Sequence, residues 1–340
     1  MKKSPVDFIR DQFAAIPPAP TADLSKQTVL VVGANTGLGF ECTKHLARMN
    51  PGRLILACRS EQRGRAAITT LQQETGYRTA ELWLVDLSKF SSVIAFADKF
   101  EKDGGRLDIV VMNAAIETTV YETSTDGWES TLQVNALSTS LLSLLLAPRL
   151  VDTAKRYPGA RPRLVIVGSE VHYWVNFPEE VYSAPSAFEA LSSKEYCTPA
   201  KMEDRYRESK LLVIFFTQSL AELLKDTPVI VNTVNPGYCY SELSRTYTGI
   251  KVVVEWVIKK ILGRSTENGS RQLVYAAVGG AEDPDRLRGA YLNLYAVNEP
   301  SDHMLGEEGK SRRDKLWKDL IYELTRVDSR VRDIVRGFSA

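Results

Sequence analysis

Residues 28–39 read TVLVVGANTGLG, and this stretch decides the fold. Its first five residues form a short apolar run of the kind a buried strand shows. Glycines at 33, 37 and 39 follow directly, and then FECTKHLARM (40–49) carries apolar residues at helical spacing until Asn50, Pro51 and Gly52 stop it. Glycines between a strand and a helix permit a tight turn and close backbone approach. The first helical turn offers unpaired N–H groups to a pyrophosphate. Gly33, Asn35, Thr36, Gly37, Leu38 and Gly39 are therefore candidate cofactor-binding residues. Taken alone the glycine spacing has little specificity, and its weight comes from heading a long alternation of strands and helices.

Working outward, further buried-strand runs occupy 53–58, 81–85, 107–112, 164–167, 229–234 and 291–295. Helical patterns follow the second run to about residue 73, and then cover 91–100, 128–150 and 206–224, with Pro148 expected to kink or stop the third of these. Six or seven buried strands separated by helices predict an α/β fold: one Rossmann-like, doubly wound parallel sheet with helices on both faces. The expected division is an N-terminal extension (1–25), a catalytic domain (26–300) and a C-terminal helical extension (301–340). Residues 6–13 read as a short amphipathic helix lying on the surface, broken from the rest by Pro17, Pro18 and Pro20. Two segments depart from the alternation: 171–205, with Trp174, Phe177, Tyr182 and Phe188, and 241–270, with the apolar helix candidate GIKVVVEWVIKKIL. Long loops in a compact domain are usually functional covers. The expectation is that both wall a substrate pocket, Tyr238, Tyr240, Tyr247 and Trp256 contributing to the second wall; filling a satellite core is the alternative.

Composition narrows the function class. The chain has 340 residues, 44% hydrophobic and 25% charged, so it can bury a large core without disulfides or metals. Its 43 basic and 42 acidic residues leave a formal charge of +1, which gives no electrostatic argument for nucleic acid or an anionic membrane. Cys42, Cys58, Cys197 and Cys239 lack zinc-ligand or redox-pair spacing, and three histidines argue against a metal centre. The N-terminus lacks the apolar run of a secretory signal, and no uninterrupted run reaches the roughly 18 apolar residues of a spanning helix. A cytoplasmic protein without a transmembrane anchor is expected.

Strand ends on the carboxyl side of a parallel sheet form the site in this architecture. Arg59 follows the second strand, where an acidic residue would accept from a free ribose 2′-OH and repel a 2′-phosphate; its planar cation suits the phosphate, and so NADP(H). Asp86 follows the third strand, placed to accept from an adenine amino group, and Asn113-Ala114-Ala115 follows the fourth, small enough for close cofactor approach. Tyr206 and Lys210 stand four apart on one helix face. A phenol with a reference pKa of about 10 needs a nearby cation to work as an acid or base near neutrality, and Lys210 is that cation. Ser169, at the end of the fifth strand, can donate to a substrate oxygen while Tyr206 moves the proton.

These motifs together resemble the short-chain dehydrogenase/reductase family, within it the branch of retinol-dehydrogenase-like and WW-domain-oxidoreductase-like proteins and of fungal secondary-metabolite reductases. GANTGLG (33–39), LACRS (56–60), VDL (85–87), RLDIVVMNAA (106–115), LQVNALS (132–138), the serine of VIVGS, YRESK (206–210) and NPGYCYS (235–241) stand in family order. The resemblance implies a catalytic tetrad of Asn135, Ser169, Tyr206 and Lys210, with Asn135 supporting a water link to Lys210. It implies cofactor contacts from Leu87, Tyr206 and Lys210, and a carboxamide-binding segment containing Pro236, Gly237 and Ser241. The implied function is NADPH-dependent reduction of a ketone or aldehyde, or the reverse alcohol oxidation, on a small apolar, cyclic or aromatic metabolite. The alternative is a non-catalytic NADP(H)-binding regulatory or scaffold protein. Family members commonly pair the helices carrying Asn135 and Tyr206, so a homodimer through them is expected. Departures are Val32 for the usual threonine, Met112 and Ala115 within the Asn-Asn-Ala-Gly motif, and 37 positions between Ser169 and Tyr206, far more than usual.

Overall fold

The computed structural model describes residues 3–103, 105–240, 243 and 250–339, the side chains at 250, 251, 253 and 254 excepted. The chain runs α1 (Pro5–Phe13), β1 (Thr28–Val32), α2 (Gly37–Arg48), β2 (Arg53–Cys58), α3 (Glu61–Thr75), β3 (Glu81–Leu84), α4 (Phe90–Asp103) and β4 (Ile109–Met112). There follow α5 (Ser130–Leu132), a π turn (Gln133–Leu137), α6 (Ser138–Arg156), β5 (Arg163–Val167) and a 3-10 turn (Glu170–Trp174). Three short helices come next, α7 (Glu179–Ser183), α8 (Ala187–Ser192) and α9 (Pro199–Met202), then α10 (Arg205–Leu223) and β6 (Ile230–Val234). The last part holds α11 (Ile250–Leu262), α12 (Thr266–Val278), β7 (Tyr291–Asn293), β8 (Ala296–Asn298), α13 (Gly306–Val327) and α14 (Arg330–Ser339).

The strands form one sheet in the order β3-β2-β1-β4-β5-β6-β7-β8, parallel except for β8. Period-2 alternation explains why both faces are apolar: Leu30 and Val32 enter the core with α4, α6, α10 and α13, while Val29 and Val31 enter the one with α2, α3 and α12. The order reverses between β1 and β4, so a crevice opens at their carboxyl ends.

Several expectations change here. The predicted strand at 291–295 ends at Asn293, because Leu294 and Tyr295 adopt left-handed φ of 54° and 61° and turn the chain into antiparallel β8. Gln272 holds this turn by accepting from the Leu294 N–H at 2.6 Å, and Tyr295 stacks on Tyr275 at 4.4 Å. Pro148 stops nothing, since α6 continues to Arg156. The run from Ser130 to Arg156 is long and apolar enough to cross a bilayer, but its most apolar window is 89% buried, which makes it the core helix of this fold.

The face through which a homodimer was expected is covered by the chain's own C-terminus. Helix α13 lies on α10, and α14 on α6. Leu316, Leu320, Leu324 and Val331 are buried there, and Trp317 stacks on Phe216 at 6.1 Å. An apolar helix face must be covered, and intramolecular helices do it here.

Candidate active site

A cleft of about 890 Å³ runs across the carboxyl ends of the strands. At its nucleotide end, Gly33 has φ +84° and sits so close to Ala114 that a Cβ would lie 2.8 Å from the Ala114 backbone. Only glycine serves at that position. Asn113 pins the same turn by donating from Nδ2 to the Gly33 carbonyl at 3.0 Å. Gly39 lies beneath the turn, where a Cβ would strike the Gly33 oxygen at 2.2 Å, so it shapes the cradle without lining the cleft. Thr36 begins α2 with no side-chain cap, which leaves first-turn N–H groups open toward the cleft, and a Cβ at Gly37 would meet nothing within 4 Å. An anion fits both observations.

Asn35, Thr36, Gly37 and Leu38 line this end, with Arg59 beyond β2, Asp86 and Leu87 beyond β3, and Asn113, Ala114 and Ala115 beyond β4. One Asp86 carboxylate oxygen accepts from the Ser88 N–H and hydroxyl at 3.1 and 2.7 Å, which fixes its direction. Arg63, not anticipated from sequence, joins Arg59 on the cleft wall from the first turn of α3. Its four-residue spacing from Arg59 across a strand end was the signal.

At the other end, Ser169, Tyr206 and Lys210 line one stretch of the cleft, together with Pro236 and Gly237. Lys210 is buried, donates from Nζ to the Val167 carbonyl at 2.7 Å, and lies 5.4 Å from the centre of the Tyr206 ring. Burial disfavours its charge and lowers its pKa to about 8, with Glu117 acting weakly the other way. The lysine therefore stays mostly cationic at neutral pH. Ser169 is oriented from both sides. Its Oγ accepts from the Val171 N–H at 3.4 Å, and its carbonyl faces His172 Nδ1 at 2.7 Å. Because His172 Nε2 accepts from the Ser301 N–H at 3.3 Å, the proton sits on Nδ1, and burial holds this imidazole neutral with a pKa of about 3. Cys239 also lines the cleft, but burial pushes its thiol up to about 12 and removes it as a nucleophile.

Asn135 occupies the π turn rather than the regular helix expected from spacing. Its side chain works as a peptide would: Oδ1 accepts from the Ile116 N–H at 2.9 Å, and Nδ2 donates to the Ile116 carbonyl at 2.8 Å and to Ser209 Oγ at 3.0 Å. The extra residue of a π turn re-aims a side chain, a frequent device at functional sites. Asn135 thus ties the chain after β4 to α10, and it does not line the cleft. Ser241 and Tyr247 lie outside the described residues.

The expected aromatic walls are largely corrected. Trp174 and Tyr238 do line the cleft. Phe177, Tyr182 and Phe188 instead are buried in the core beneath α13, Tyr182 sharing a hydrogen bond with His303 Nε2 at 2.7 Å. Tyr240 and Trp256 point to solvent, 40% and 60% exposed, while Ile258 and Lys259 of the same helix α11 reach the cleft. Phe8 of α1 also lines it, between Trp174 and Tyr238. Nothing in the sequence tied that residue to the site beyond the amphipathic pattern of the arm.

Residues 27–187 match the family model described as short chain dehydrogenase. The chain is 36% identical over 327 residues to the short-chain dehydrogenase anuD of Penicillium roqueforti, covering 94% of this chain and 82% of that protein. The chain belongs to the short-chain dehydrogenase/reductase family. Solved structures share the fold. An uncharacterized Mycobacterium paratuberculosis protein of 25% identity superposes with a TM-score of 0.63 over 91% of this chain and 98% of its own. A Sphingobium yanoikuyae short-chain dehydrogenase in complex with NADPH, 21% identical, superposes at 0.53 over 72% of this chain and 81% of its own.

Proposed function

We propose that this short-chain oxidoreductase uses NADPH to reduce a ketone or aldehyde on a small, apolar, cyclic or aromatic metabolite, of the kind fungal secondary metabolism provides, in the cytoplasm. The observation that carries the reading is the layout of one cleft: the glycine cradle and Arg59 at one end, Ser169, Tyr206 and Lys210 at the other. A dinucleotide laid along it meets the N-terminus of α2 with its pyrophosphate, and Arg59 with Arg63 where a 2′-phosphate would lie. The NADPH complex of the Sphingobium relative supports the same choice. When bound there, NADPH supplies the hydride.

The chain's own residues do the rest. Ser169 Oγ already accepts from the Val171 N–H, so its own proton is free to be donated to the substrate oxygen. The Tyr206 hydroxyl donates the proton that the reduced oxygen requires, and the Lys210 cation beside the ring stabilises the phenolate left behind. Phe8, Trp174 and Tyr238 line this end of the cleft, and with a substrate seated against them their apolar rings would displace water and strengthen those hydrogen bonds.

The test follows NADPH absorbance with a panel of cyclic aromatic ketones such as α-tetralone. Turnover is expected for the unmodified protein, and Tyr206→Phe should lower it by about 10²-fold or more while cofactor affinity stays within about two-fold. Arg59→Asp should transfer the preference from NADPH to NADH. An unmodified protein that prefers NADH, or reduces no member of the panel, refutes the proposal.

A further inference from the structure

We infer that helix α1 is a working part of the reacting end of the cleft: Phe8 is a substrate-facing wall residue, and Gln12 and Lys3 are positioning residues for the carboxamide-binding segment and for Ser169. The inference rests on the proposed function for what occupies the cleft, and on contacts within the chain for everything else.

Gln12 is 6% exposed, and its amide pairs with a backbone peptide more than 200 residues away. Its Nε2 donates to the Tyr238 carbonyl at 2.8 Å and to the Leu262 carbonyl at 3.0 Å, and its Oε1 accepts from the Tyr238 N–H at 3.0 Å. Every hydrogen-bonding direction of the amide but one is thereby used, two of them on the segment that includes Pro236 and Gly237 and one on the end of α11. Arg264 returns the tie by donating from Nε to the Gln12 carbonyl at 3.2 Å and from Nη2 to the Ala14 carbonyl at 3.2 Å.

Lys3 enters the same region as a buried cation, 8% exposed, with Nζ 2.5 Å from Glu170 Oε2 and 2.8 Å from Asp11 Oδ2. Glu170 follows Ser169 directly, and its N–H donates to Asn235 Oδ1 at 3.2 Å. Asn235 Oδ1 also accepts from the Gly237 N–H at 3.1 Å, so one amide joins the Ser169 strand end to the carboxamide-binding segment. A buried carboxylate is kept in place only if it is paired, and Lys3 is the pair. The Lys3 carbonyl accepts from Trp174 Nε1 at 2.9 Å, which fixes the wall that Phe8 packs on.

Phe8 meets Trp174 edge-to-face at 5.5 Å and Tyr238 at 6.4 Å, and the three rings close one side of the cleft. Here α1 leaves Val6 and Phe13 73% and 67% exposed, and turns its polar Gln12 and one ring, Phe8, toward the site.

The experiment uses the full chain and calorimetric binding. NADPH is compared with 2′,5′-ADP, which lacks the nicotinamide, and α-tetralone is titrated into protein saturated with NADP⁺, where no reduction can occur. Gln12→Ala and Lys3→Met should each weaken NADPH by about five-fold or more, the loss of one or two buried hydrogen bonds. Binding of 2′,5′-ADP should stay within about two-fold, which also shows that the variants fold. Phe8→Ala should weaken α-tetralone by about five-fold or more at constant NADP⁺ affinity, with Phe8→Leu restoring most of it. In ligand-free protein, deuterium exchange of the Tyr238 amide should accelerate in Gln12→Ala. Equal losses for NADPH and 2′,5′-ADP, unchanged tetralone affinity in Phe8→Ala, or an unchanged Tyr238 exchange rate would each overturn the inference. An unmodified protein that binds no ketone refutes the proposed substrate class instead, and the Gln12 results still decide the role of α1.

Discussion

Arg205 precedes Tyr206, the proposed proton donor, and is 1% exposed, so replacing it with methionine is a severe and informative perturbation. Its guanidinium donates from Nε to Glu129 Oε2 at 2.6 Å, from Nη1 to Glu208 Oε2 at 3.1 Å and from Nη2 to the Leu191 carbonyl at 2.8 Å. Both carboxylates are themselves buried, at 0% and 1% exposure. Removing the cation leaves two buried anions without it, a change that costs about 3–5 kcal/mol in comparable sites. Set against a whole-domain stability of about 5–15 kcal/mol, that is a large fraction.

The loss is not divided equally between the two acids. Glu129 keeps the Thr131 and Leu132 N–H donors, each at 2.8 Å, whereas Glu208 keeps, among the described residues, the Tyr196 hydroxyl at 2.5 Å. Burial already raises the Glu208 pKa, with Arg205 as the main opposing influence, so the variant should raise it further. A carboxyl protonated more readily when folded than when unfolded costs stability in full above its folded pKa; the cost begins to shrink as pH falls through that value and is gone only below the unfolded pKa. Urea unfolding should therefore show the Arg205→Met deficit shrinking between pH 7 and pH 5, and Arg205→Met/Glu208→Gln should recover a substantial part of it at pH 7. A deficit below about 1 kcal/mol, or one equally large in both backgrounds and at both pH values, would refute this account of the cluster.

Lys210 makes a prediction of opposite sign. Its folded pKa of about 8 lies below its ordinary 10.5, so between these values the unfolded chain holds the extra proton and stability rises with pH. The gain is on the order of 3 kcal/mol at most; unfolding of ligand-free protein between pH 8 and 10 should show it relative to Lys210→Met, and parallel profiles would reject it. Because α13 and α14 cover the helices that a partner would use, light scattering at micromolar concentration should give a monomer of 37.9 kDa. A mass of twice that value would place a dimer on another face. Trp317 is partly buried where it stacks on Phe216, so Trp317→Ala should cost about 1–3 kcal/mol, and a change below about 0.5 kcal/mol would show the cover to be loose.

Most of the parallel sheet was legible because each strand is a short apolar run closed by a turn signal and set between helical patterns, which is how strands buried on both faces read. The cleft's floor was equally legible, since strand ends fix where Arg59, Asp86, Asn113 and Ser169 emerge. What escaped depends on contacts distant in sequence. A π turn at Gln133–Leu137 adds one residue to a helix whose apolar spacing barely changes, and within it Asn135 pairs with Ile116, a partner distant in sequence. The β7–β8 turn lacks the Asn-Gly signature, because Gln272 and Tyr275 hold Leu294 and Tyr295 in left-handed geometry from outside. Phe177, Tyr182 and Phe188 resembled a pocket wall until the C-terminal helices claimed them. Helix α13 begins with a highly charged stretch, and its apolar stripe of Leu316, Leu320 and Leu324 needs a partner surface to acquire meaning.

Another set of contacts distant in sequence converges on α10. Catalysis needs the Tyr206 hydroxyl held within a fraction of an ångström of the substrate oxygen, and the helix that carries it begins only one residue earlier. A helix start is the least constrained part of a helix, since its first N–H groups have no partner within it. In this chain Arg205 anchors that start to Glu129 and to the insertion through Leu191, and Glu208 adds Tyr196. Ser209, bonded to the Tyr206 carbonyl and to Asn135, joins it to the π turn, and Lys210 joins it to β5. Farther along, Phe216 is held by Trp317. The long gap between Ser169 and Tyr206 thus does more than enlarge a loop: it supplies Leu191 and Tyr196 to the clamp on the catalytic helix. Shortening that segment should therefore slow turnover even where the cleft wall itself is left intact.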